Sequence, residues 1–118
     1  MDELIATLFL SRDVTHRAHL STDSYAEHRA LGSFYEEVIE LADSLAEAYQ
    51  GYTGKRLGDI PYYSNPSKKD TVDTLKLLLK QIQEERKDIE PDYSPIQNVI
   101  DEVESLFNST IYKLTFLK

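Results

Sequence analysis

The chain has 118 residues, enough for one domain with a hydrophobic core of its own. Apolar residues make up 41% and charged residues 29%, which sets aside a disordered chain. The net charge is −8, from 13 basic and 21 acidic residues without a basic tail, which disfavours duplex DNA as a partner, and the lack of cysteine removes disulfide and thiolate chemistry.

The opening stretch MDELIATLFL is acidic and lacks the basic region and cleavage site of a signal peptide. No apolar run approaches the ~20 residues of a membrane span. The expectation is a cytoplasmic protein that meets no membrane. The first predicted helix runs from Asp2 to about Leu20. Leu4, Ile5, Leu8 and Phe9 share one face, and the same face continues into Arg12, Thr15, His16 and His19. Two histidines at i and i+3 have two explanations. They suit an exposed last turn, where the helix dipole favours them, or they belong to a ligand set, since histidine is the commonest metal ligand.

Ser21, Thr22, Asp23 and Ser24 break the pattern, and Ser24 with Glu27 has capping-box spacing. So short a link makes helices one and two antiparallel neighbours and brings His19 near His28.

The second predicted helix, Ser24 to Tyr49, contains no proline. His28, Leu31, Gly32, Tyr35, Val38, Ile39, Ala42, Leu45, Ala46 and Tyr49 form one broad face at helical spacing. Asp43 lies at its edge, with Glu36 and Glu47 just beyond. His28 and Asp43 are 15 positions apart, or ~22 Å along a helix. One chain cannot bring both to one ion. Two copies of this helix, antiparallel across a two-fold axis, would set His28 of one opposite Asp43 and Glu47 of the other. The spacing therefore predicts a homo-oligomer, at least a two-fold dimer through helix two. Gly32 costs ~1 kcal/mol of helix propensity relative to alanine, and close approach of a partner helix would explain it. The plainer alternative is a hydrogen-bonded core histidine at 28 and a solvated acidic face containing Asp43 and Glu47.

Helix two is expected to end at Gln50-Gly51. The link YTGKRLGDIPYYSNPS, Tyr52 to Ser67, reaches ~50 Å when extended. That exceeds the ~39 Å of helix two, so helix three can begin where helix two began. GYTGKR lacks the gap and the hydroxyl residue of a phosphate loop. Tyr49, Tyr52, Tyr62 and Tyr63, with Lys55 and Arg56 among them, suit two roles. They either stack on a small nucleotide or single strand or seal the crossover against the core.

Helix three is predicted from about Lys68 to Lys87, capped by Ser67 or Asn65, with Val72, Leu75, Leu78, Leu79 and Ile82 buried. Pro91 breaks it, and Ser94-Pro95 opens helix four. Helix four then buries Ile96, Val99, Ile100, Val103, Leu106, Phe107, Thr110, Ile111 and Leu114. The whole, residues 1–118, reads as one all-α domain, a four-helix bundle with the ferritin-like pattern of a long crossover between helices two and three.

Ala18-His19, His28, Gly32, Asp43, Glu47 and Gln50-Gly51 resemble the signature of the Dps-type mini-ferritins. The likeness covers mainly residues 14–51 and is closer still to small uncharacterised phage proteins distantly related to Dps. It implies a metal site of His19, His28, Asp43 and Glu47 shared between two subunits, with iron (or zinc or manganese) bound and iron oxidation as the associated activity. Besides lacking the basic N-terminal tail that some members use on DNA, the chain departs from that pattern in three ways. Gly32 stands where the family has an aspartate, Leu20 replaces a tryptophan, and the link between His19 and His28 is shorter. With these departures the fold and the dimer are expected to survive while iron oxidation is not. The alternative is a non-enzymatic phage-type module that uses the same bundle to bind a host protein or a small nucleotide.

Overall fold

The computed structural model describes residues 1–66 and 70–118. Among these residues are four α-helices and no strand: α1 (Asp2–Ser21), α2 (Tyr25–Thr53), α3 (Thr71–Glu85) and α4 (Ser94–Phe116), with a 3-10 turn at Arg86–Asp88. No helix is long and apolar enough to cross a membrane, again among the described residues.

The helix ends follow from specific side chains. Ser24 Oγ accepts from the Glu27 amide at 3.2 Å, as its spacing predicts. The reciprocal arm is relayed: Thr22 Oγ1 accepts from the Ser24 amide and donates to the Glu27 carboxylate at 2.6 Å. Helix two passes through Gly51 and ends three residues later than expected. Gly54, at φ 70°, is its cap, and its amide bonds the Gln50 carbonyl. That left-handed conformation selects glycine, whereas Gly51 stays helical. Helix three is capped by Asp70, whose carboxylate accepts from the Asp73 amide at 2.9 Å, and starts at Thr71. The expected start at Lys68 and cap at Ser67 lie outside the described residues.

α1 packs against α2 and α3, and α4 packs against α2 and α3. At one end the Tyr52 and Tyr93 rings stack at 3.7 Å, tying the end of α2 to the start of α4. At the other, Asp70, Thr71 and Val72 share a groove with Ala18, Thr22 and Leu114. The crossover therefore travels the length of the helices, as its reach allows. The long dimension of 45 Å matches the ~43 Å that 29 helical residues span.

The core centres on Phe34 and Phe107, fully buried and edge to face at 5.0 Å between ring centroids. Each contributes ~2–3 kcal/mol by burial. Phe34 replaces Gly32 and His28 at the centre of the α2 stripe, which runs Leu31, Phe34, Val38, Ala42, Leu45. In α3 and α4 the buried residues match the expected stripes, with Val72, Val99, Leu106 and Ile111 half-buried at their margins.

α1 departs most from expectation. Phe9 is 38% exposed, while Thr7, Ser11 and Thr15 are buried. Their hydroxyls are satisfied locally: Ser11 donates to the Leu8 carbonyl and Thr15 to the Ser11 carbonyl, each at 2.7 Å. With those bonds made, the residues behave as small apolar groups. Ala6 and Leu10 are buried on the outer side, beneath the crossover, where Ile60 and Tyr63 pack against the core.

At the base of α3, Arg86 joins the second hairpin. Its guanidinium donates to the Gln97 side chain and carbonyl, to Asp101 at 2.8 Å and to Glu104. Gln97 answers by donating to the Ile89 carbonyl at 2.6 Å. Burial works against the Arg86 charge, but the hydrogen bonds to Glu104 and Asp101 outweigh it and raise its pKa above the ordinary value.

Candidate functional site

All three histidines of the chain lie on the seam between α1 and α2. The capped link between those helices fixes their register and sets His19 against His28. Their rings stack at 3.7 Å with 16° between planes. Each ring bonds the other residue's main chain. His19 Nδ1 lies 2.6 Å from the His28 carbonyl oxygen, and His28 Nδ1 lies 2.7 Å from the His19 carbonyl oxygen. A carbonyl oxygen only accepts, so each Nδ1 carries the hydrogen. In the neutral ring Nε2 is then the bare nitrogen. No buried side-chain nitrogen lacks a partner among the described residues, and neither Nε2 has a protein partner, so both reach solvent.

Gly32 makes room for this arrangement. A Cβ there would lie 3.0 Å from His19 Cε1 and 3.2 Å from its Nδ1. The sequence reading gave that space to a partner helix; the occupant is His19 of the same chain. Tyr35 continues the cluster, with His16 stacked on it at 4.2 Å, His19 at its edge at 5.3 Å, and the Arg12 guanidinium 5.8 Å from its centroid. Tyr25 lies 6.4 Å beyond His28.

Of the expected metal ligands, His19 and His28 come together. Asp43 and Glu47 are exposed on the same continuous helix, ~22 Å or more farther along it. Among the described residues no group of three or more histidines and carboxylates is placed to hold a metal within one chain. The outer side of α2 carries Glu36, Glu37, Glu40, Asp43 and Glu47, all exposed. The tyrosines do not form one platform: Tyr52 is taken by Tyr93, Tyr63 is half-buried and Tyr62 is fully exposed. Gly51 to Thr53 is helical, so the GYTGKR stretch makes no phosphate loop.

Sequence reasoning missed a second polar cluster, between α1 and α3. Thr7 Oγ1 lies 3.0 Å from the Glu85 carboxylate, and Gln81 donates to both. Burial pushes the Glu85 carboxyl above its ordinary range, against the lowering effect of the Thr7 and Gln81 bonds, with Glu3 adding to the rise. Burial also raises the Tyr63 phenol, helped by the carboxylates of Glu3 and Glu85. The signal in the sequence was Thr7, a polar residue on the apolar side of α1, but its partner 78 positions away was not readable.

A family model described as "Family of unknown function (DUF5856)" matches residues 19–114. The "Uncharacterized 14.6 kDa protein in mobD-ri intergenic region" of Enterobacteria phage T4 is 32% identical over 115 residues, covering 97% of this chain and 87% of that protein. No solved structure matches the chain. Neither match is to a ferritin or Dps family, so that likeness rests on the residues quoted for it. The family match takes in the last turn of α1, all of α2 and α3, and α4 to Leu114, so the His19–His28 pair and Gly32 lie within it, and the chain belongs to the DUF5856 family.

Proposed function

We propose that this protein is a ferritin-like helical scaffold that binds a divalent transition metal through His19 and His28. The supporting observation is the pair of Nδ1–carbonyl bonds. A second bond of this kind on the far nitrogen is what orients metal-binding imidazoles and keeps the other nitrogen free. Neutral imidazole suits iron, zinc or manganese to different degrees, with carboxylates favouring the harder ions. Stacked as they are, the two rings hold their Nε2 lone pairs in nearly parallel planes, so one ring must turn for both to meet one ion; Asp43 and Glu47 of a second copy are the proposed remaining donors. Iron oxidation is the activity such a shared site would carry.

The test is titration of the purified protein with cobalt and zinc, ferrous oxidation measured in parallel, and solution mass by light scattering. Binding that is lost in His28→Ala and weakened in Asp43→Asn, on a species of at least twice the monomer mass, supports the reading. No ion bound more tightly than about millimolar, or a monomer with Asp43→Asn indistinguishable from the parent, overturns it.

A second reading has its own support. The histidine pair already acts as a clasp between helices, and no complete ligand group exists within one chain among the described residues. On that reading the protein is a non-enzymatic phage-type module for a host protein or small nucleotide. Nucleotide binding that falls in Arg56→Ala and Tyr62→Ala favours it; indifference to both removes the crossover from that role.

A further inference from the structure

The crossover does not lie flat on α1. Between them is a cleft of about 320 Å³. Phe9, Leu10 and Asp13 line it from the helix, and Ile60, Pro61 and Tyr62 from the crossover, with Ala6 and Tyr63 at its inner end. Its size is at the lower end of small-molecule sites, and its walls have the usual composition of aromatic and aliphatic groups with few polar atoms. Two of the rings stand open: Phe9 is partly exposed and Tyr62 fully so.

The charge lining the cleft is of one sign, with Arg17 outside it. Asp13 is the charged residue in the lining, and no lysine or arginine joins it. Its ion pair with Arg17 is exposed on both sides and is worth little, so the carboxylate is available to another cation. The carboxylates of Glu3 and Glu85 act on the Tyr63 phenol at the inner end, and Asp2 lies against Gly58 just upstream on the crossover. An apolar slot in such a field attracts a ligand with an apolar body and a positive head, while repelling the anionic isostere. A nucleotide is the wrong sign for it.

We propose that the cleft between α1 and the crossover is a binding site for small arylalkylammonium ligands, the ring seated between Phe9, Ile60 and Tyr62 and the ammonium directed to Asp13. This site is separate from the histidine pair and does not depend on metal binding.

The probe is phenethylammonium chloride, titrated into the ¹⁵N-labelled full chain and followed by amide chemical shifts, with 3-phenylpropionate as the probe of opposite charge. A ligand of this size should bind with a dissociation constant of about 1–10 mM. The expected shifts fall on the amides of residues 6–13, Ile60, Tyr62 and Tyr63, and 3-phenylpropionate binds at least about tenfold more weakly. Asp13→Asn should weaken phenethylammonium about threefold or more, and Phe9→Ala should do the same. Phe9 is partly exposed, so the spectrum of its variant should otherwise match the parent. Equal binding of the two probes overturns the proposal. So do shifts centred elsewhere, or an affinity unchanged in both Asp13→Asn and Phe9→Ala.

Discussion

The two hairpins of this molecule are tied by different chemistry. The α3–α4 hairpin is held by one arginine that spends its donors on the protein: Arg86 reaches Gln97, Asp101 and Glu104, and Gln97 returns the bond to the main chain. The α1–α2 hairpin is held by two histidines that use one nitrogen each and leave the other in solvent. The first tie is complete in itself. The second leaves one nitrogen of each ring without a protein partner, and for that reason the proposed metal site lies at its end of the molecule. A polar group that is fully partnered inside the fold explains stability; one that is half-partnered and fixed in orientation has something left to offer a ligand.

Breaking each tie tests the comparison. Arg86→Ala should have the largest effect. It leaves Glu104, itself mostly buried, without its cation, and should cost ~2–3 kcal/mol in urea unfolding. Metal affinity at the histidines should not change. Gly32→Leu comes next. The new side chain enters the space of the His19 ring, and lost stacking and hydrogen bonds should outweigh the gain in helix propensity, for a net loss of ~1–2 kcal/mol. Unlike Arg86→Ala, it should also remove metal binding, which a cobalt titration reads directly. His19→Ala and His28→Ala should each cost ~1 kcal/mol or slightly more. Because the two rings share a stack and exchange bonds, the double variant should lose less than the sum of the singles. Simple additivity would show that the clasp is not a unit.

The smallest effect concerns pH and the cluster at Glu85. Its carboxyl is raised above the ordinary range in the folded protein, so the folded state holds that proton more tightly than the unfolded chain. The associated stability is fully present below the ordinary carboxylate range and is lost as pH rises through the folded value. Glu85→Gln should therefore flatten the pH dependence of unfolding just above that range. It should stabilise the protein at neutral pH by about a few tenths of a kcal/mol once solvent screening is allowed for. A variant less stable than the parent at neutral pH would show that the charged form is the one the Thr7 and Gln81 bonds serve.

The buried faces of α3 and α4 were legible because each helix faces the core on one side only, and a period of 3.6 then marks it. α1 hid its face because it is covered twice, by the core and by the crossover, and because Ser11 and Thr15 use their own helix to satisfy their hydroxyls. At the site, the short capped link was enough to bring His19 and His28 together. The reciprocal bonds were not readable, since they depend on ring orientation and on the gap at Gly32. That glycine carried a true signal of close approach, but spacing alone could not say which chain approaches.

The path of the crossover also bears on how the chain reaches this state. During synthesis α1 and α2 emerge first, and the His19–His28 clasp forms between neighbours in sequence. Ala6 and Leu10, however, are covered only when Ile60 and Tyr63 of the crossover pack beside them. Thr7 likewise waits for Glu85. The contacts of the first hairpin are thus local in sequence, whereas those of the crossover with its own starting helix require a long loop to close.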